Sequence, residues 1–282
     1  MTQEVLIDVK NLTMRFGGLT AIDSLNFEAR NGEITALIGP NGAGKTTVFN
    51  CITGFYKPTE GGIFLHAPGG RRDLSQMTGH KINSEGGVAR TFQNIRLFGR
   101  MTVLENLLVA QHMVLHADWK TVIGGLWSSR AYRQSEEDAI RIAGGWLERL
   151  GLSEWADHEA HSLPYGEQRR LEIARAMCTN PRLLCLDEPA AGLNAVESAA
   201  LAVLLNEICS DDGIGIILIE HDMSVVMDIS HHVVVLDYGR KIAEGPPEKV
   251  KEDSHVIKAY LGADEDEELI PEIAEDLGVS GL

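Results

Sequence analysis

The 282-residue sequence predicts an α/β fold built on a parallel sheet, and three observations carry that expectation. Four near-continuous apolar runs are spaced along the chain: "GEITALIG" at 32–39, "PRLLCLDEP" at 181–189, "GIGIILIEHD" at 213–222 and "HHVVVLDYG" at 231–239. Helical stretches separate the later runs, and strands covered on both faces by crossover helices read this way. A helical block at about 101–175 interrupts the alternation, as a subdomain inserted between strands would.

Taken in order, residues 4–30 alternate apolar and polar side chains around "RFGG", the pattern of antiparallel strands with one wet face. A helix is expected from Gly44 to about Gly54. "GGIFLH" reads as a further strand, and the polar stretch 67–88, with Arg71, Arg72 and Lys81, as a long surface loop. Within the helical block, 102–115 and 135–152 carry apolar residues at i, i+3 and i+4. Residues 263–282 hold eight acidic residues and no basic one, half of the net charge of -16, and read as a solvated tail or as a short helix docking Leu269, Ile270, Ile273 and Leu277.

Composition narrows the function classes. The strong negative charge argues against a general affinity for nucleic acid or anionic lipid. No apolar run reaches the ~18–20 residues of a membrane span. The N-terminus "MTQEVLIDVK" lacks a basic region leading into an apolar stretch, so a secretory leader is not expected. Cys51, Cys178, Cys185 and Cys209 form no CxxC pair and lie in apolar segments, as buried reduced thiols do. The pair His231 and His232 has no neighbours at metal-ligand spacing.

"GPNGAGKTT" (39–47) fits G-x-x-x-x-G-K-[ST] through Gly39, Gly44, Lys45 and Thr46, after a strand and opening a helix. Glycines let the backbone curl so that successive N–H groups meet phosphate oxygens. The helix N-terminus favours negative charge, the lysine reaches the β and γ phosphates, and the threonine hydroxyl serves Mg2+. "LLCLDEP" (183–189) then delivers Asp187 and Glu188 from the end of a buried strand. An aspartate there suits Mg2+, and a glutamate suits activation of a water for attack on the γ-phosphate. His221 ends another buried strand and so reaches the same carboxyl edge of the sheet, where open α/β sheets bind ligands.

Together, these pieces resemble the ATP-binding subunit of ABC transporters over residues 4–262, with the motifs in family order. The resemblance implies a P-loop NTPase core, an antiparallel β subdomain at the N-terminus and the inserted helical subdomain, with 263–282 as an acidic tail outside it. It also implies ATP and Mg2+ as cofactors. Gln93 in "ARTFQN" looks like the Q-loop glutamine, a metal and water ligand, and His221 like the switch histidine. Phe16 matches the aromatic that stacks on adenine; Asn41, Gly42, Ala43, Gly44, Lys45, Thr46 and Thr47 match the phosphate loop. "LPYGEQ" (163–168) stands in place of the signature "LSGGQ", so Tyr165, Gly166 and Glu167 would meet the nucleotide of a second subunit.

This sequence departs from the family pattern at that signature. Pro164 replaces the serine and supplies no N–H, Tyr165 replaces a glycine and Glu167 a glutamine. Phosphate contact would then rest on the backbone around Tyr165 and Gly166 and on the helix dipole, with Glu167 turned to ribose or solvent. Ser162 is expected as the helix cap, with Pro164 in the first turn. Arg169, Arg170 and Arg175 crowd that helix and read as surface and intersubunit salt-bridge partners. In "AAGLNA" (190–195), which looks like the D-loop, Asn194 stands where aspartate is usual and would bond across the interface.

"ARTFQNIRLFGRMTVLENLLVAQH", "LPYGEQRRLEIARA" and "GPPEKVKEDSHVIKAYLG" are similar to the longer ATPase of bacterial high-affinity branched-chain amino acid importers. That resemblance implies a second ATPase subunit, identical or paralogous, two permease proteins and a periplasmic binding protein, with this chain on the cytoplasmic face of the cell membrane. Phe98, Met101, Val103 and Leu104, with Arg96 on the rim, form either a groove for a permease helix or the core of the subdomain. Urea and lipopolysaccharide transporter ATPases are alternatives, the second being shorter at 113–145. A soluble ABC ATPase acting on nucleic acid fits poorly, having no coiled-coil insertion, no CxxC pair and the wrong charge here. A small-molecule kinase fits less well than hydrolysis by a water-activating Glu188.

Overall fold

The computed structural model describes residues 4–115 and 130–262. The acidic segment 263–282 lies outside them. The chain divides into two compact units, residues 4–90 with 182–262, and residues 91–115 with 130–181.

The first unit holds two sheets. Strands β1 (Val5–Phe16), β2 (Leu19–Arg30), β4 (Glu60–Ala67) and β5 (Gly70–Asp73) make an antiparallel sheet in the order β2-β1-β4-β5. The two-residue connection between β1 and β2 uses Gly17 at φ 58°, a left-handed conformation that matches the twist of a tight hairpin. Strands β3 (Ile34–Ile38), β6 (Val88–Arg90), β7 (Leu183–Asp187), β8 (Gly215–Ile219), β9 (His232–Asp237) and β10 (Arg240–Gly245) make the second sheet, in the order β10-β9-β3-β8-β7-β6. Every neighbouring pair in it is parallel except β9 with β10.

The central strands are apolar throughout because both of their faces are covered. Along β3 and β9, successive side chains point to opposite sides. Leu37, Val234 and Leu236 join a core shared with the antiparallel sheet and with Val48, Phe49 and Ile52 of helix α1 (Lys45–Ile52). Ala36, Ile38, Val233 and Val235 join a second core on the other face. That core is completed by α7 (Met223–Ile229), α8 (Pro247–Lys251) and α9 (Ser254–Gly262), through Met223, Val226, Val250 and Val256. Helix α6 (Ala195–Asp212) joins β7 to β8.

The stretch 67–88 is not the long loop its polar composition suggests. It contributes β5, a helix α2 (Gly79–Ser84) and the start of β6. Leu74 and Ile82 are the reason, since both are buried in the main core while the charged residues around them face outward.

The second unit carries α3 (Val103–Leu115), α4 (Arg130–Leu150) and α5 (Tyr165–Met177). Ala139, Ala143, Leu147 and Leu150 form the buried stripe of α4 at the spacing of a helix face. Val103 and Leu107 of α3 are fully buried, so Val103 belongs to the core and cannot line a surface groove. Phe98, by contrast, is half exposed, and Met101 and Leu104 are partly so. Buried Asn106 fixes that segment: its Oδ1 accepts from Phe98 N (2.9 Å), and its Nδ2 donates to Phe98 O (3.1 Å) and Thr102 O (2.9 Å).

Candidate active site

Strands β3, β8 and β7 are adjacent in the sheet, so their carboxyl ends form one edge within the first unit. From the end of β3 the chain turns through residues 39–44 into α1. Three glycines make that turn feasible, Gly39 at φ 146°, Gly42 at 77° and Gly44 at 99°. Space is as limiting as conformation: a Cβ on Gly39 would lie 2.0 Å from Leu236 O, and one on Gly44 would lie 2.5 Å from Ile22 Cδ1. Ala43 is buried; its N–H donates to Pro40 O (3.1 Å) and its carbonyl accepts from Gly239 N (3.1 Å), so it pins the loop to the sheet. Asn41, Gly42 and Thr46 are exposed, and Thr47 is half-buried on the first turn of α1.

Lys45 bends back over the loop, its Nζ donating to Gly39 O (2.6 Å) and Pro40 O (3.0 Å). Burial lowers its pKa, while the charges of Glu188 and Asp187 raise it, which sets the ammonium in the field of both carboxylates. Asp187 ends β7, and its Oδ2 accepts from Arg90 Nη2 (2.8 Å) in a buried ion pair. The other arm of Arg90 donates to Asn50 Oδ1 of α1 (2.6 Å), so one guanidinium aligns the carboxylate with the helix. The sequence reading did not single out Arg90. Its signal is an arginine ending an apolar edge strand, a place where a buried charge needs a partner.

Glu188 adopts φ 47°, a left-handed conformation rare for a residue with a Cβ and costly by ~1 kcal/mol. Its N–H donates to Ile219 O at the end of β8 (2.9 Å). His221 follows that strand, and its Nδ1 stands 3.8 Å from Glu188 Oε2. Between them in sequence sits Glu220, fully buried, which accepts from Ala190 N (2.7 Å) and His221 N (3.3 Å). Lys45, Asp187, Glu188 and His221 therefore gather at one edge. Phe16, at the end of β1, is exposed and meets Tyr56 edge to face, with ring centroids 5.2 Å apart. Asn194 caps α6: its side chain accepts from Glu197 N while Glu197 accepts from Asn194 N, both at 3.0 Å. The amide is thus engaged within its own helix end.

The second unit carries the other motif residues. Helix α5 begins at Tyr165, with Pro164 and not Ser162 at the cap position. Ser162 instead donates to Glu159 O within a short helical turn (2.7 Å), and no side chain caps α5. Gly166 is buried and Tyr165 exposed. Both oxygens of Glu167 accept from Arg170 Nη1 (3.0 Å each), so its charge is offset on its own helix.

Of the three arginines of α5, Arg169 is not a surface partner, whereas Arg170 and Arg175 are partly exposed. Arg169 is fully buried, donating to Phe92 O (2.8 Å), Gln93 O (2.5 Å) and Glu172 Oε2 (3.0 Å). Glu172 Oε1 accepts from Arg96 N (2.8 Å). Arg170 also donates to Leu150 O (3.1 Å), and Arg175 lies 5.8 Å from the Phe98 ring. The backbone of Phe92, Gln93 and Arg96 is thereby clamped onto the helix that begins at Tyr165, and the Gln93 side chain is left at the surface.

Among the described residues, no three His, Cys, Asp or Glu side chains are placed to hold a metal. A threonine hydroxyl and one carboxylate suit a cation that takes most of its oxygens from phosphate and water, as Mg2+ does. No described helix is long and apolar enough to cross a membrane.

A family model for the ABC transporter matches residues 22–191, which include the glycine turn at 39–44, helix α5 and the adjacent Asp187 and Glu188. The chain belongs to the ABC transporter family. It is one of that family's ATP-binding proteins, an ATPase. A second model, described as the branched-chain amino acid ATP-binding cassette transporter, matches residues 240–266. The chain is 50% identical to the high-affinity branched-chain amino acid transport ATP-binding protein BraF of Pseudomonas aeruginosa, over 91% of this chain and 98% of that one. With the corresponding protein LivG of Salmonella typhimurium it shares 51% identity over the same fractions. A solved ATP-binding cassette of an ABC transporter in its ADP conformation superposes with a TM-score of 0.78 at 31% identity, covering 92% of this chain and 99% of that one. The α/β cassette architecture expected from the sequence is that of this family.

Proposed function

We propose that this ABC ATPase powers the import of branched-chain amino acids. The observation that carries the reading is identity of 50–51% over 91% of the chain with two proteins named for that transport. The match at residues 240–266 supports it from a separate part of the sequence. In cells from which the chain has been deleted, uptake of radiolabelled leucine is expected to be lost and to return with the chain, while urea uptake stays unchanged. Unaffected leucine uptake would overturn the solute assignment and leave the ATPase in place.

In this reading the edge of the parallel sheet binds ATP. Phe16 stacks on adenine. The backbone of Asn41, Gly42, Ala43 and Gly44 surrounds the phosphates, with Lys45, Thr46 and Thr47 completing the site. Thr46 and Asp187 would hold Mg2+, which offsets charge on the β and γ phosphates when bound. Glu188 takes a proton from the attacking water as its oxygen bonds to the γ-phosphorus and the bond to the bridging oxygen breaks. His221, beside Glu188, steadies the charge that develops on the γ-phosphate.

The site is completed by a second ATPase subunit. The uncapped start of α5 presents N–H groups and a positive dipole end, which suits the phosphates of the neighbour's nucleotide through Tyr165 and Gly166. Glu167, its carboxylate paired with Arg170, is left to the ribose or to solvent. We assign residues 1–262 as the nucleotide-binding domain, with its helical part at about 101–175, and 263–282 as an acidic segment beyond it.

We place the chain at the cytoplasmic face of the cell membrane, against two permease proteins that a periplasmic binding protein supplies, with no nucleic acid partner. Phe98, an exposed aromatic on the segment that Asn106 fixes, is the contact we assign to a permease helix, with Arg96 beside it. Phe98→Ala is expected to lower leucine uptake about tenfold, the loss of a well-packed aromatic contact, while basal ATP hydrolysis stays within about twofold. Equal uptake by the variant and the native chain would remove Phe98 from the permease contact.

A further inference from the structure

We propose that Glu220 is a positioning residue for hydrolysis: its buried carboxylate accepts the N–H groups of Ala190 and His221 and so holds Glu188 in its left-handed backbone conformation. This rests on the reading of Glu188 as the residue that activates water.

The argument begins with a local cost. At φ 47°, Glu188 sits where a side chain crowds its own backbone, and such a residue persists only if its surroundings over-determine it. Two hydrogen bonds flank it, one ending on the last residue of β8 and the other on the residue that follows that strand. Its own N–H reaches Ile219 O (2.9 Å), and two residues later Ala190 N–H reaches Glu220 Oε1 (2.7 Å). The first acceptor is a main-chain carbonyl that any residue would supply. The second exists only because residue 220 carries a side-chain oxygen, and a carboxylate alone offers an oxygen to each of Ala190 N and His221 N, so this is the one element of the clamp encoded by a side chain.

The second oxygen of Glu220 accepts from His221 N (3.3 Å), which ties the start of the histidine segment to the same group. One carboxylate thus reaches the backbone two residues beyond Glu188 and the backbone of His221 itself. Burial is the largest influence on its pKa and raises it; the bonds from Ala190 and His221 and the His221 charge oppose this, while the Glu188 charge adds to it. A carboxylate buried beside a strand-end of isoleucines is costly to desolvate unless it is hydrogen-bonded, as Glu220 is. The 190–195 segment that it anchors also leads directly into the capping box of α6, so the anchor fixes the path of the chain from Glu188 to that helix.

The test is Glu220→Gln in the full chain, which keeps shape and volume but replaces one acceptor oxygen by an NH2 group that cannot accept. ATP hydrolysis and the affinity for a fluorescent ATP analogue are measured together, with Glu188→Gln alongside. The expected result is a fall in kcat of about 10- to 100-fold, since displacement of a catalytic group by ~1 Å costs about that much. The affinity for the analogue should stay within about twofold, because the phosphate loop rises from a different strand. A kcat within twofold of native would overturn the proposal. So would a loss of affinity that matches the loss of kcat, which would mark Glu220 as support for the nucleotide site as a whole. Glu220→Ala should lose at least as much kcat as the glutamine variant; a smaller loss would also contradict the proposal. If Glu188→Gln itself keeps native hydrolysis, the reading of the site fails, and this inference with it.

Discussion

Lys45→Ala is expected to weaken ATP binding by about 100-fold while leaving the thermal midpoint at or above that of the native chain. The ammonium donates to the two carbonyls Gly39 O and Pro40 O, and it is placed to exchange those for phosphate oxygens. Hydrogen bonds to charged groups are worth about 1.5–3 kcal/mol each, so losing one or two costs about 3 kcal/mol, or about 100-fold in affinity. Stability moves the other way. Burial is the main influence on the Lys45 pKa and lowers it, with Glu188 and Asp187 recovering part of the shift. A lysine whose folded pKa lies below its unfolded value binds fewer protons when folded. Its charge therefore opposes folding at neutral pH, and this penalty fades only as the pH rises through the folded pKa. Equilibrium titration with nucleotide and thermal unfolding check both halves. A variant that loses stability along with affinity would show that Lys45 supports the loop as well as the ligand.

Arg169→Met is expected to be the most destabilising single change in the second unit, by about 3–5 kcal/mol, because removal of one member of a buried ion pair strands the other. Arg169 is the largest fully buried side chain of the described residues, and Glu172 beside it is almost as inaccessible. Burial raises the pKa of Glu172, against the opposing influence of the Arg96 N–H, Arg169 and Arg175. Without Arg169 that pKa rises further, so the folded variant holds its proton to higher pH than the unfolded chain does. Stability then increases as the pH falls, and the deficit relative to the native chain should shrink between about pH 8 and pH 5. Denaturant titrations at both pH values measure this. The double variant Arg169→Met with Glu172→Met should be less damaged than Arg169→Met alone, since hydrophobic pairs replace buried ion pairs at little cost. A pH-independent deficit would show that Arg169 acts by packing alone.

Those buried charges mark where the sequence stopped being legible. The parallel sheet was readable because "ITALI", "LLCLD" and "GIILI" are buried on both faces, which leaves an unbroken apolar run. The turn at 39–44 is readable because its three glycines are forced by conformation or by space, and such positions leave a fixed spacing. Arg169 was misread as a surface residue because helical periodicity places charges outside, and nothing local reveals that the carbonyls of Phe92 and Gln93 await it. Glu220 was overlooked for a related reason. Its partner, Ala190 N, is thirty residues away in sequence. The stretch 67–88 was misread because two apolar side chains, Leu74 and Ile82, order a segment whose composition is otherwise polar. For Val103 the sequence allows groove or core, and only packing decides it. In each case the missing information was a tertiary partner, which pattern and propensity do not carry.

The central claim is that Glu188, held in strained backbone beside His221, activates the water that cleaves ATP. Phosphate release from ATP by the native chain and by Glu188→Gln, with nucleotide affinity measured on both, tests it most directly. A positioned general base contributes about 100- to 10,000-fold, so release by the variant should fall by at least about 100-fold while ATP affinity stays within about twofold. Native-like phosphate release by Glu188→Gln would contradict the account.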